Sequence, residues 1–451
     1  MRQLSESTLD ALRASDRAHH IHPYTDHVEL HAVGTHLITD AEGCWLTDAE
    51  GRRLLDGLAG LWCVNVGYGS KKIAAAVHEQ IQRLPFYPSF FNSSNEPAIR
   101  LAERLAQIAP PDVNHALFSG SGSEANETAL KIVRSVQRLR GQPQRTKILT
   151  RDFAYHGVTL ATTSMTGLPA CQDPFDLPLP GFIHAPAPHP YAAKSDLDRT
   201  AYGKWCIDET RNLIEAEGPE TIAAMFIEPV QGAGGVIVPP EGYLRELRNM
   251  ARDFGILFVA DEVITGFGRL GSWFASSLWS LEPDLITLAK GMTSGYLPMG
   301  ATLICDTLSD ELINGGYFAH GHTYSGHPTC AAAALANLEE IEERKLIPSV
   351  RDDIGPYFVE GLTRFESHPA VAEVRATGLI GAIELVDDTS ADATNRAPIG
   401  GRAADIARTH GVIVRGLKTA VAMAPPLIIT RDEIDTLFEA LGKTLDQLQT
   451  G

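Results

Sequence analysis

The stretch ILFVADEV at 256–263 decides how this 451-residue chain folds. Gly255 precedes it, an unbroken apolar run follows, and an acidic pair ends it. A run this short, without alternation, reads as a strand buried on both faces, the kind found inside a parallel sheet. An Asp that ends such a strand, here Asp261, points out of the carboxyl edge of the sheet, where open α/β folds take their ligands. A carboxylate in that place needs a cationic or hydrogen-bonding partner, unless it only caps the next turn. Outward from this segment, similar short runs recur: HALF (115–118), KILT (147–150), AAMFIE (223–228), LITLAK (285–290) and ATLIC (301–305). Between them, from about 70 to 330, lie segments with helical periodicity. The alternation predicts an α/β unit with a largely parallel sheet covered on both faces.

The flanks read differently. Residues 1–40 look like an arm leading into a short strand region, and GCWLTDAEGRRLLDG (43–57) carries a hairpin signal around its Asp-Ala-Glu-Gly turn. From 331 the chain turns helical (CAAAALANLEEIEERKL). Strands are expected at GLIGAIELV (378–386) and GVIVRG (411–416), and a last amphipathic helix from Arg431 to Leu448. These pieces predict a smaller α+β lobe to which the N-terminal segment returns. The expected division is 1–70 (arm and part of the small lobe), 71–330 (large lobe) and 331–451 (C-terminal small lobe).

Composition narrows the function classes. Hydrophobic residues make up 44% of the chain, enough for a sizeable core, and the formal net charge is −18. A nucleic-acid or anionic-membrane partner would want a basic face, so neither is expected. Any anion must instead be held locally, by backbone N–H groups or a placed Arg. Cys44, Cys63, Cys171, Cys206, Cys305 and Cys330 are scattered without a C-x-x-C pair, which reads as buried thiols in a reducing compartment. The first residues, MRQLSESTLDALRASDRAHH, lack an apolar signal core, and no run of about 18 apolar residues occurs. A cytoplasmic location follows as the expectation.

Three motifs carry chemistry. FSGSGSEANETALK (118–131) follows a strand and opens a helix, with Ser121, Gly122 and Ser123 at the turn. Small residues let backbone N–H groups approach an anion, and the helix N-terminus adds its positive dipole. The fragment Gly120-x-Gly122-x-x-Ala125 also fits a dinucleotide fingerprint. That pattern wants an acid about 20 residues on, and 139–151 contains none, so a phosphate cup without a ribose partner fits better. The second motif is Asp261. The third is Lys290, after LITLA and before Gly291. A lysine there is either an exposed strand end or a functional amine, and a desolvated amine is a nucleophile. Cup, strand-end Asp and strand-end Lys, in that order, make a pyridoxal-phosphate (PLP) constellation: anion anchor, pyridinium partner and Schiff-base amine.

Longer motifs carry a family resemblance. ADEVITGFGRLG (260–271), LAKGMTSGYLPMGA (288–301), EPVQGAGGVIVPP (228–240), AYHGVT (154–159) and HTYSGHPTCAAAALAN (322–337) resemble the ω-aminotransferases, also called class-three aminotransferases. LWCVNVGYG (61–69), LPFYPSFF (84–91) and MAPPLIIT (423–430) resemble the subgroup that uses an amine or ω-amino acid with pyruvate. The likeness spans roughly 20–445. It implies fold type one of the PLP-dependent transferases, with a mostly parallel seven-stranded sheet. It implies PLP as cofactor, a small-molecule amine and pyruvate as substrates, a ping-pong course, and a homodimer or dimer of dimers with shared active sites.

By that resemblance the roles fall on single residues. Lys290 and Asp261 are catalytic. Ser121, Gly122 and Ser123 hold the phosphate. Tyr155 and Val263 cover the two faces of the ring, Gln231 lies near the ring hydroxyl, and Glu228 falls on the same side and steadies an Arg or water. Thr323 reaches the phosphate of the neighbouring subunit, and His156 is a supporting residue. Arg415 matches the mobile arginine that forks a substrate carboxylate, and Tyr24, Trp62 and Phe90 line an apolar pocket.

The chain departs from the family pattern at Tyr24, where relatives usually carry Phe. It departs again at His322, often Phe in relatives, and at Lys418-Thr419, usually Gly-Asp. The departures bear on the donor, which stays open among β-alanine, diamines, taurine and aromatic amines. His320, His322 and His327 fit no common metal spacing, His19, His20 and His22 read as surface residues, and no metal is expected. Rival readings are another PLP reaction on the same scaffold (racemase or aminomutase), a non-catalytic phosphate-ligand binder, and an NAD oxidoreductase.

Overall fold

The computed structural model describes residues 5–386 and 398–450. Its centre is a seven-stranded sheet built from β1 (His115–Ser119), β2 (Lys147–Arg151), β3 (Phe182–Ala185), β4 (Ile222–Ile227), β5 (Leu257–Asp261), β6 (Leu285–Leu288) and β7 (Gly300–Ile304). The order across the sheet is β1-β7-β6-β5-β4-β2-β3. Neighbours from β3 to β6 pair in parallel, and β7 alone runs against both β6 and β1. Every residue of β4, β5, β6 and β7 is buried, so the apolar runs lack alternation because both faces are covered. This is the expected α/β sheet of fold type one. The sequence reading had no run for β3. FIHA is short, half-exposed and at the sheet edge, between the proline-rich LPLPG and APAPHP.

Helix α1 (Gly122–Leu139) starts at Ser121, whose hydroxyl caps it, and lays Ala125, Ala129, Ile132, Val133 and Val136 against the sheet. The i, i+4 spacing of that set is the core stripe of a surface helix.

Two smaller sheets flank this core. Strands Ile38–Glu42, Trp45–Asp48 and Arg53–Asp56 form an antiparallel set, as the hairpin signal predicts, and Val412–Ile413 joins its edge in parallel. Val371–Thr377, Ile380–Leu385, Ala420–Met423 and Arg415–Gly416 form the other. GVIVRG is therefore not one strand. It divides at Val414, with one half in each sheet. This handover returns the N-terminal segment to the C-terminal lobe, and Trp45 Nε1 adds a 2.8 Å hydrogen bond to Glu433 Oε1 on the last helix, Arg431–Thr450.

Buried arginines tie the layers. Arg375 pairs with Glu384 (2.6 Å) and donates to the carbonyl of Gly235. Arg269 reaches the carbonyl of Leu379 (3.0 Å) and Asn65 Oδ1 (3.1 Å), which anchors the loop after Asp261. All six cysteines are free, as expected, but only Cys44, Cys206 and Cys330 are buried. Cys63, Cys171 and Cys305 are half-buried, which corrects the uniform reading. No described helix is long and apolar enough to cross a membrane.

Candidate active site

The site grows from the carboxyl ends of β5 and β6. Asp261 closes β5, is 4% exposed, and pairs in register with Thr287 of β6. Its Oδ2 takes two partners, Asn126 Nδ2 at 2.8 Å and His156 Nδ1 at 2.7 Å. Each partner is held in turn. Thr287 Oγ1 donates to Asn126 Oδ1 at 2.9 Å, and His156 Nε2 meets Thr150 Oγ1 at 3.0 Å. These side chains are all buried. The arrangement fixes the carboxylate plane and, among the described residues, leaves Oδ1 with only the Val263 N–H, at 3.1 Å. A carboxylate offers about four acceptor positions, so Oδ1 retains room for a further donor. His156 was read from sequence as a supporting residue. Asn126 and Thr287 were missed, since an Asn one turn into a helix and a Thr in a strand carry no signal of their own until the fold brings them together.

Lys290 is not on the strand tip. β6 ends at Leu288, and Lys290 opens a short turn, Lys290–Met292, with φ 45°. A non-glycine residue in that left-handed region is strained and needs support. Asn337 supplies it, donating to the carbonyls of Gly291 and Met292 at 2.9 Å each. A Cβ on Gly291 would lie 2.6 Å from Asn65 Nδ2, so the close packing of this turn requires glycine. The ammonium of Lys290 sits 5.6 Å from the centre of the Trp62 ring. Burial pushes its pKa below the usual lysine range, and the charges of Cys63, Asp261 and Glu228 oppose that shift without cancelling it.

The turn before α1 has the geometry of an anion cup. Ser121 Oγ accepts the Glu124 N–H (3.2 Å), the Glu124 carboxylate caps the Gly120 N–H (2.5 Å), and Ser123 Oγ accepts the Val158 N–H (3.2 Å). Ser121, Gly122 and Ser123 are half-buried, and the first N–H groups of a helix have no partner within it. A Cβ on Gly122 would come within 3.1 Å of Val263, so the cup and Val263 are in contact range.

Glu228 and Gln231 form one wall. Glu228 takes the N–H groups of Tyr155 (2.9 Å) and Gly232 (3.1 Å), and burial raises its pKa. Its carboxylate therefore steadies backbone. Arg151 bonds the main-chain carbonyl of Glu228 rather than its carboxylate. Gln231 is fully buried. Its Nε2 donates to Asp152 O at 2.7 Å, while Oε1 has no hydrogen-bond partner. Trp62 Nε1 is likewise buried and unpartnered. Orphaned buried polar atoms are costly in a finished core and suit a site that takes a polar group.

The outer residues are more open. Tyr24 is 67% exposed, and its hydroxyl lies 3.4 Å from that of Tyr155. Phe90 lies against Gly321, where an added Cβ would be 2.9 Å from its ring, and so shares a loop cluster with exposed Thr323. Arg415 is exposed at the start of its short strand. His320, His322 and His327 serve separate purposes. His320 Nε2 meets Thr128 Oγ1 (2.8 Å), His322 Nδ1 faces Glu124 (3.9 Å), and His327 caps the helix Pro328–Glu343.

The pattern of class-III aminotransferases matches residues 28–445. The putrescine–pyruvate aminotransferase of Pseudomonas aeruginosa is 40% identical over 447 residues, covering 99% of this chain and 98% of that one. A γ-aminobutyrate transaminase of Solanum lycopersicum is 40% identical over 91% of this chain and 80% of its own. Among solved structures, a thermostable (S)-enantioselective ω-transaminase from Thermomicrobium roseum superimposes with TM-score 0.93 at 42% identity, covering 99% of this chain and 100% of that one. The Pseudomonas jessenii ω-transaminase in complex with PMP gives 0.92 at 39%, covering 97% and 98%.

Proposed function

From the premise that this chain belongs to the class-III aminotransferase family, we propose that it moves an amino group from an amine or ω-amino acid to pyruvate, giving alanine, in two alternating half-reactions with pyridoxal 5′-phosphate as cofactor. The observation that carries this reading is the desolvated Lys290 amine within electrostatic reach of a buried, doubly hydrogen-bonded Asp261. The putrescine–pyruvate relative adds support for the substrate class.

The bound cofactor supplies an aldehyde that condenses with amines and a pyridine ring that accepts electrons. The residues fit it: Oδ1 of Asp261 has room for a ring N–H, and the orphaned Gln231 Oε1 for the ring hydroxyl. Asp261 keeps the ring nitrogen protonated, because a buried carboxylate favours a cation beside it. Ser121, Gly122 and Ser123 hold the phosphate. Tyr155 and Val263 cover the two ring faces, and Glu228 fixes the backbone of Tyr155. Lys290 anchors the cofactor. Once a donor amine had displaced it, the Lys290 amine, its pKa lowered by burial, would serve as the base at the donor carbon.

Arg415 forks the carboxylate of pyruvate with its planar guanidinium. Tyr24, Trp62 and Phe90 line an apolar pocket. Thr323 reaches the phosphate of a second subunit, so the working unit is a homodimer, or a pair of them, in the cytoplasm. The exposure of Thr323 in one chain, with Phe91 and Tyr317 each 92% exposed, supports a covered interface.

The test is a panel of putrescine, β-alanine, 4-aminobutyrate, taurine and an aromatic amine, each with pyruvate, reading alanine. At least one donor is expected to give stoichiometric alanine. Failure of every donor with pyruvate, while racemisation or amino-group migration proceeds, would replace the reading.

A further inference from the structure

Asp16, His20 and His22 lie in the N-terminal arm, outside the site described above. Helix Glu6–His19 puts Asp16 one turn before His20, and the chain then bends so that His22 returns to the same carboxylate. His20 Nδ1 lies 3.0 Å from Asp16 Oδ1, and His22 Nε2 lies 2.9 Å from Oδ1 and 3.0 Å from Oδ2. One donor atom from each residue falls within 4.8 Å of the other two. The two imidazole rings sit 4.2 Å apart, centre to centre. Asp16 and His22 have side chains only 16% and 20% exposed, while His20 is open to solvent.

A carboxylate that merely accepts two surface hydrogen bonds would not need its surroundings braced. Here they are. The Thr35 hydroxyl donates to Asp16 Oδ2, and the backbone N–H of His22 donates to His27 Nε2 at 3.0 Å. The neighbouring cation, Arg17, is directed away to the carbonyl of His31 at 2.6 Å. Such supporting bonds orient ligands in metal sites.

We propose that Asp16, His20 and His22 bind a divalent transition-metal ion of the zinc class, with water completing the site. Two imidazoles and a carboxylate form a donor set that zinc takes at about 2.0–2.2 Å. Tetrahedral bonds of that length separate the donor atoms by roughly 3.3 Å. The two carboxylate–imidazole separations, 2.9 and 3.0 Å, would open by a few tenths of an ångström, and the donor atoms of all three residues already lie within 4.8 Å of one another. The ion would pin the arm next to Tyr24, two residues beyond His22, whose hydroxyl meets that of Tyr155. The binding claim stands independently of the reaction proposed above; only the effect on the donor rests on it.

The experiment uses chelator-treated holoenzyme titrated with Co²⁺ and followed by visible absorption, then displaced by Zn²⁺. The wild type is expected to bind one saturating equivalent per chain with a tetrahedral spectrum. The separate variants Asp16→Asn and His22→Gln should each lose at least about tenfold in affinity, and the doubly substituted His20→Gln/His22→Gln protein should lose the spectrum. Cofactor absorption and circular dichroism should not change. Adding Zn²⁺ to the wild type should lower the KM for the amine about two- to threefold with little change in kcat. The site is overturned if the wild type shows no saturable binding or if the double variant binds as the wild type does. An amine KM that Zn²⁺ leaves unmoved, despite binding, removes the link to the pocket but leaves the proposed reaction intact.

Discussion

The floor and the mouth of the site are built by opposite means. The floor consists of Asp261, His156, Asn126 and Thr287, all buried, and each polar side chain is held by another. At the mouth, Tyr24, Thr323 and Arg415 are exposed, and the Tyr24 hydroxyl meets that of Tyr155 at 3.4 Å. The difference teaches where invariance and choice reside. A buried carboxylate with every neighbour bonded has one arrangement, because breaking it strands a charge in low dielectric. An exposed side chain changes rotamer at little cost, which is what the roles proposed for the mouth require.

The comparison breaks most severely at the floor. Lys290→Ala is expected to lower alanine formation by at least about 10⁴-fold and to remove the visible band of the bound cofactor. Asp261→Asn, which keeps the shape and removes the charge, should cost about 10³-fold in kcat with little change in KM. Near-normal turnover in either variant would sink the assigned roles.

The mouth should respond more mildly and selectively. Arg415→Ala is expected to raise the KM for pyruvate about 10- to 100-fold, the loss of a charge-assisted bidentate contact. The KM for an amine without a carboxylate should stay within about twofold. Equal losses for both substrates would mean that Arg415 holds the fold rather than the acid.

The effect that vanishes at neutral pH concerns how far buried polar groups set the stability of the interior. His189 is 4% exposed, beside Arg375. Burial first, and the Arg375 charge second, push its pKa down to about 4. Above the ordinary imidazole value of about 6.5 it is neutral in both folded and unfolded chains and costs nothing. As pH falls through that value the unfolded chain takes up a proton that the folded one refuses until about pH 4. Stability is therefore lost across this window, by up to about 3 kcal/mol at its acid end. His189→Gln should flatten that part of a denaturation-midpoint profile against pH. An unchanged slope would assign the acid sensitivity to other groups.

How much was legible depended on whether a signal is local. Six of the seven central strands were visible as apolar runs, because burial on both faces demands them. β3 was not, since FIHA is a short run of four residues set between proline-rich stretches that read as loop. GVIVRG was legible as extended chain, but its division at Val414 depends on two partners far away in sequence. His20 and His22 read as surface histidines, yet they converge on Asp16 because the chain bends after its first helix.

Sequence alone settled that an acid ends one buried strand, that a lysine follows close behind the next, and that small residues open a helix, because periodicity and turn chemistry act over a few residues. Tertiary structure alone decided which groups complete the Asp261 network, that Lys290 sits in a strained left-handed turn, and that Tyr24, Thr323 and Arg415 are exposed on the single chain. Hydrogen-bond partners and desolvation belong to neighbours in space, and a linear order of residues does not specify them.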